Sequence, residues 1–197
     1  MVTLVLFHHV QDYAGWKTVF DEVEALRRSH GAVAHRVYRG VDNQNRVIVH
    51  IDFPDEAGAR SFMADPSLSG VMERAGVTDE PWLGLVVQLE QKRYTDDVVG
   101  VTAAVHHRVR DYAVWKAVFD DHERVRRSHG QIEHRIYHAW GDPLQIVIHG
   151  DFPSLEAAES LCNDPSVADA MARGGVEGEP GIGFITLAER KSYASVA

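Results

Sequence analysis

Apolar positions along the chain follow two rhythms, a period of two and a period near 3.6, and the whole sequence of rhythms occurs twice. Residues 2–10 form an apolar run containing threonine, valine and phenylalanine, which predicts a strand buried on both faces. Asp12 stops that run and is a good N-cap for a helix on which Trp16, Val19, Phe20, Val23 and Leu26 recur at helical spacing. Gly31 is placed as the residue just beyond the helix end, and Arg27, Arg28 and His30 suit its negative terminus. Residues 33–39 and 46–53 alternate like strands around Asp42-Asn43-Gln44-Asn45, which is turn chemistry, so an antiparallel hairpin is expected. Beyond Pro54, residues 56–63 and 66–74 predict a helix in two pieces, the second capped by Asp65 with Pro66 at its first position; a last strand spans residues 82–90.

The second half repeats this order with a constant offset of 99 residues. The run from His8 through Asp12, Tyr13, Trp16, Lys17, Val19, Phe20 and Asp21 returns as His107, Asp111, Tyr112, Trp115, Lys116, Val118, Phe119 and Asp120. Arg27-Arg28-Ser29-His30-Gly31 returns as Arg126-Arg127-Ser128-His129-Gly130, and Asp52-Phe53-Pro54 as Asp151-Phe152-Pro153. Two copies are too few for a solenoid. The expectation is an α+β chain of two ferredoxin-like βαββαβ modules, residues 1–93 and 101–197, with a joint over 94–100.

Side-chain parity then sorts the candidate chemistry. His50 and Asp52 share one face of the third strand with Ile48, while Val47, Val49, Ile51 and Phe53 share the other. The fully apolar set belongs against the helices, which leaves His50 with Asp52, and His149 with Asp151, on the opposite sheet face. A histidine beside a carboxylate suits a general base and its orienting partner; a hydrogen-bonded structural pair is the competing reading. His8 and His107 end the first strands, and because that strand pairs with the third in this topology, His8 is expected near His50. A His/His/Asp group can also bind a metal, although the spacing is unlike a compact zinc motif. Arg36 with Tyr38, and Arg135 with Tyr137, share a face of the second strand and offer a charge and a donor to a carboxylate, enolate or phenolate. Trp16, Phe20, Trp115 and Phe119 sit at core spacing and read as packing; Cys162, opposite Met63, reads as a small apolar filler. Where the copies differ, as at Phe7/His106, Val41/Trp140 and Trp82/Gly181, two sites are not expected to be equivalent, and Phe7, Trp82 and Trp140 are expected as substrate contacts.

Charge narrows the partners. The net charge of −9 and the absence of lysine/arginine runs longer than a pair argue against nucleic acid. The N-terminus lacks the form of a signal peptide and no apolar run is long enough to cross a membrane, so a cytoplasmic protein without a membrane partner is expected. No Gly-rich phosphate loop, nucleophile elbow or Cys-x-x-Cys is present.

The His-x-Val-x-Asp-Tyr-x-x-Trp-Lys-x-Val-Phe-Asp start, the Arg-Arg-Ser-His-Gly helix end and the Asp-Pro-Ser of the second helix resemble the dimeric α+β barrel superfamily, in particular antibiotic-biosynthesis mono-oxygenases and cyclase-like proteins. The resemblance covers both halves. It implies an intramolecular, pseudo-dimeric barrel with sheets face to face and a small apolar ligand in the space between. It implies a small-molecule enzyme for an aromatic or polyketide-like substrate, working by cyclisation, isomerisation or cofactor-free oxygenation, with further self-association of the chain left open. Two alternatives stand beside it: a non-catalytic ligand-binding or stress-response barrel, and a haem enzyme, since some relatives carry haem through histidine.

Overall fold

The computed structural model describes residues 1–193, in which eight strands and eight helices run in the expected order. The first copy holds β1 (Val2–His9), α1 (Tyr13–Glu22), α2 (Glu24–Ser29), β2 (Ala34–Gly40), β3 (Arg46–Phe53), α3 (Glu56–Met63), α4 (Leu68–Arg74) and β4 (Trp82–Arg93). The second holds β5 (Val101–Val109), α5 (Tyr112–Asp121), α6 (Glu123–Ser128), β6 (Glu133–Ala139), β7 (Asp142–Phe152), α7 (Leu155–Cys162), α8 (Pro165–Arg173) and β8 (Val176–Ser192). The class is α+β. Among the described residues no helix is long and apolar enough to cross a membrane.

Compact units do not follow the repeat boundaries. Unit 1 comprises Met1–Val87 and the segment from Leu187 onward; unit 2 comprises Gln88–Thr186. The sequence modules of residues 1–93 and 101–197 and the compact units thus differ in their boundaries, and residues 194–197 of the second module lie outside the described residues. The cause is the length of the two last strands. Tyr94 donates its backbone N–H to Ile132 within unit 2, and Tyr193 donates its own to Val33 within unit 1, so each strand ends in the sheet of the other copy's sequence. Side chains fix the exchange: the His134 ring bonds Glu90 and Tyr94 at 2.7 Å each, and the His35 ring bonds Glu189 at 2.6 Å and Tyr193 at 2.7 Å.

Within unit 1, β3 pairs antiparallel with β1 and with β2, and β1 pairs with β4. Unit 2 repeats this with β7 on β5 and β6, and β5 on β8. Parity works as expected: Val47, Val49, Ile51 and Phe53 join Leu4, Leu6, Trp16, Phe20 and Phe62 in one apolar cluster under the helices. Two helix details differ from the expectation. The long helix after Asp12 breaks at Val23, and its counterpart breaks at His122, because the tight turns there let a buried arginine return its guanidinium to the first helix: Arg27 Nη1 donates to Phe20 O at 2.6 Å, and Arg126 Nη1 donates to Phe119 O. Helix α4 starts at Leu68 rather than at Pro66, whereas α8 starts at Pro165 with Asp164 as its N-cap. Gly31 and Gly130 follow the helix ends at φ 88° and 83°, a conformation that glycine adopts at little cost.

Candidate functional site

On the sheet face away from the helices, register sets the expected residues in three rows. In unit 1 these are Thr3–Asp52–Ala34, Val5–His50–Arg36 and Phe7–Ile48–Tyr38; in unit 2, Thr102–Asp151–Glu133, Ala104–His149–Arg135 and His106–Val147–Tyr137. Asp52 and Asp151 are engaged by other partners than the histidines. Asp52 accepts from Thr3 Oγ1 at 2.6 Å and Arg36 Nη2 at 2.7 Å; Asp151 accepts from Thr102 Oγ1 at 2.6 Å, while Arg135 Nη2 lies 2.7 Å from both of its oxygens. The expected histidine-carboxylate dyad is thus replaced by an arginine-carboxylate pair on neighbouring strands, since a charged carboxylate out of water gains most from a guanidinium. In unit 2 the pair is deeply buried, with side chains 4% and 6% exposed. Burial pushes the Asp151 carboxyl up in spite of Arg135. The His50 and His149 rings stand 5.2 and 5.5 Å from those of Tyr38 and Tyr137.

His8 and His107 lie elsewhere. His8 is opposite Val47, while His50 is opposite Val5, so the two histidines occupy opposite faces and the expected His8/His50 group does not form. The reason is parity, since positions 8 and 50 pair out of phase. Each of the strand-end histidines turns to the helices and meets a tryptophan: His8 against Trp16 and His107 against Trp115, both with ring centroids 5.8 Å apart. Among the described residues, neither nitrogen of either ring has a hydrogen-bond partner. Burial lowers both imidazoles to about 4, so each is neutral near pH 7.

In unit 2 His107 faces open space. A cavity of about 110 Å³ lies between the sheet and the helices, walled by Ala103, Val105, Ile148 and Gly150 from the strands and by Trp115, Phe119, Leu161, Cys162, Ala170 and Met171 from the helices. His107, His122, Arg126 and Gln131 supply its polar groups, and Ile182, which is exposed, carries it toward the surface. This cavity is on the helix side of the unit 2 sheet and is separate from the ligand space between sheet faces that the resemblance implied. Trp115 and Phe119, expected as packing, form its wall, stacked with centroids 5.1 Å apart. Phe7 lies opposite Trp82, which is exposed, and Trp140 is an exposed turn residue between β6 and β7, so none of these three lines the cavity.

Sequence reasoning missed Gln131, Gly150, Ala103 and His122. The signal was present in the differences between copies: Leu4, Leu6, Ile51, Phe62 and Met63 of the first stand where the second has Ala103, Val105, Gly150, Leu161 and Cys162. Each exchange opens the unit 2 core. Meanwhile Val23 and Ala32 give way to His122 and Gln131, which add polar atoms to that space.

A haem does not fit this site, because about 110 Å³ is far too small for a porphyrin macrocycle and His107 is closed in by Trp115. Among the described residues no group of three or more His, Cys, Asp and Glu side chains is placed to hold a metal ion.

No family model and no curated protein matches the sequence. Solved structures do match in fold. An anthrone oxidase-like protein superposes with a TM-score of 0.70 at 13% identity, over 97% of this chain and 92% of that one. A ferredoxin-fold protein from Listeria monocytogenes, described as related to antibiotic-biosynthesis monooxygenases, gives 0.55 at 8% identity over 96% and 95%. A mutant chlorite dismutase from Candidatus Nitrospira defluvii gives 0.57 at 13% over 94% and 91%. Their likeness to this chain extends to the fold.

Proposed function

On a chain with the fold of the dimeric α+β barrel superfamily, we propose a small-molecule enzyme whose substrate is a single-ring aromatic held in the helix-side cavity of unit 2. The observation that carries this reading is His107, a neutral imidazole without a hydrogen-bond partner among the described residues, in a nearly apolar cavity. Such a ring is an acceptor waiting for a donor, because a buried polar atom left unpaired costs about 1–3 kcal/mol. A phenolic hydroxyl, or an activated C–H, satisfies it. The imidazole then takes the proton as the substrate anion forms alongside, so that the two new charges appear together and stabilise each other in a medium of low dielectric. The anion can isomerise or cyclise. Alternatively it reduces dioxygen as a co-substrate: a phenol loses its hydroxyl hydrogen and one ring hydrogen, one oxygen atom is added at that ring carbon to give a quinone, and the second oxygen leaves as water. The structural neighbours, an anthrone oxidase-like protein and a relative of antibiotic-biosynthesis monooxygenases, support the oxygen-dependent branch.

Cavity size favours one ring over a fused polyketide, since a dry apolar cavity of about 150 Å³ takes benzene and this one measures about 110 Å³ before any side chain moves. The Asp52–Arg36 and Asp151–Arg135 pairs are read as structural. The test is binding and turnover of a panel of phenols and dihydroxybenzenes, followed by chemical-shift changes at the Trp115 indole, by deuterium exchange from solvent and by oxygen uptake. The expected outcome is binding at Trp115 and a turnover that falls about a hundredfold or more in His107→Gln, the usual size of a positioned acid-base group. Binding without turnover across the panel would favour the ligand-binding barrel; no binding at Trp115 would overturn the site.

A further inference from the structure

The same cavity carries a second polar feature that the proton-transfer chemistry above does not use. Gln131 follows Gly130 at the end of α6, and it is buried, with 4% of its surface exposed. Its backbone N–H donates to Arg126 O at 3.2 Å, and its side-chain Oε1 accepts from Arg126 Nε at 3.0 Å. Because arginine only donates, the carboxamide oxygen must face Arg126, which turns the NH₂ group the other way. There it meets Gly150: a Cβ built at that glycine would lie 2.7 Å from Gln131 Nε2. The first copy has Ala32 and Ile51 at these two positions, so the glutamine and the glycine that makes room for it occur together. Arg126 is itself held in place, lying 3.6 Å from the centroid of the Phe119 ring that forms the cavity wall.

We propose that Gln131 is the specificity-determining anchor of the cavity, donating an N–H to an acceptor oxygen on the ligand, and that the ligand class is a single aromatic ring with a hydroxyl at the His107 end and a carbonyl or carboxylate at the Gln131 end. Register supports the bipolar geometry. Gly150 is opposite Ala103, and His107 lies four residues further along the same strand on the same face, which is roughly 13 Å at the usual strand rise. Apart from His122 and Arg126, the rest of the lining is apolar. The guanidinium on the far side of the amide polarises its N–H bonds, so this donor is stronger than a lone glutamine in water. A donor of that kind also stabilises negative charge as it builds on the ligand oxygen when His107 takes the proton.

This assignment rests on the cavity being the ligand site, and the experiment separates the two. Calorimetric binding of phenol and of 4-hydroxybenzaldehyde is measured on the full chain, on Gln131→Leu and on Gly150→Ala, with circular dichroism confirming the fold. The intact protein is expected to bind the aldehyde about 10- to 100-fold more tightly than phenol, the range for one hydrogen bond assisted by a charge. In Gln131→Leu the preference should collapse to within about threefold while phenol binding persists. Gly150→Ala keeps the glutamine but displaces its amide, and should collapse the preference as well, which covers the case in which Gln131→Leu folds poorly. A preference that survives both substitutions, or phenol and aldehyde binding equally to the intact protein, overturns the anchor and leaves the cavity reading standing. If neither compound binds, the anchor and the cavity reading fall together.

Discussion

Units 1 and 2 present the same histidine-tryptophan contact in two different cores. His8 and His107 occupy matching strand positions, each with its ring 5.8 Å from a tryptophan and with both nitrogens lacking a partner among the described residues. Around His8 the core is built from Leu4, Leu6, Ile51 and Phe62; around His107 the equivalent side chains are Ala103, Val105, Gly150 and Leu161, and a cavity takes the difference. An unpaired histidine in a packed core costs stability with no visible return. The same residue at a cavity wall has a candidate partner, the ligand. The first copy therefore carries the filled counterpart of the site proposed in the second, an arrangement open to a fused pair and closed to a homodimer of identical chains.

The sheet faces give the largest expected effect. Arg135→Met leaves Asp151 buried at 6% exposure without its cation, and the variant should lose about 3–5 kcal/mol, as buried pairs do when one partner is removed. Arg36→Met should lose less, because Arg36 and Asp52 are 12% and 16% exposed and water can take over part of the work. Urea unfolding of the two variants compares them; equal losses would mean that the two faces are more alike than their exposure indicates.

Cavity residues sharpen the contrast through the sign of the change. Leu4→Ala in the packed unit should cost about 2–5 kcal/mol, because it removes a fully buried side chain and leaves a hole. Its mirror, Ala103→Leu, adds atoms where unit 2 has space, so the penalty should be below about 1 kcal/mol while phenol binding is lost. A cost for Ala103→Leu as large as that for Leu4→Ala would show that the cavity does not exist in solution.

How much of this was legible in the sequence follows from which features are local. Strand alternation placed Val47, Val49, Ile51 and Phe53 toward the helices and His50 and Asp52 away from them, because parity depends on a single strand. The break at Val23 was hidden: the 3.6 period continues through it, and only the Arg27 bond back to Phe20 shows why the chain turns. Partners of Asp52 and Asp151 were hidden too, since Arg36 and Arg135 reach them from the next strand. The unit boundary escaped notice because Glu90, Tyr94, Glu189 and Tyr193 complete histidine clusters in the opposite copy's sequence, a long-range pairing that a repeat cannot display. The cavity was legible but overlooked. Large-to-small exchanges such as Ile51/Gly150 look like neutral drift until register stacks them on one patch of sheet.

A final test separates the two histidines by acid. Burial lowers His8 to about 4 from 6.5, offset in part by Asp79 and reinforced by His9; burial lowers His107 to about 4 as well, reinforced by His106. The unfolded chain binds these protons more readily than the folded one between pH 6.5 and 4, so stability falls as pH drops through that window and levels off below it. Each histidine should contribute up to about 1.4 kcal/mol per pH unit there, and roughly 3 kcal/mol over the whole window. His8→Leu and His107→Leu remove one share each and also remove unpaired buried nitrogens, so both variants should be at least as stable as the parent near pH 5 and should lose less on going from pH 7 to 4. Saturating phenol distinguishes the copies. A ligand hydroxyl donating to His107 favours the neutral ring, so phenol should deepen the acid dependence of the parent and of His8→Leu while leaving that of His107→Leu unchanged. Urea midpoints measured at half-unit intervals from pH 4 to 7 check this, and profiles for the parent and His8→Leu that run parallel across the window would mean that His8 is not held neutral by burial.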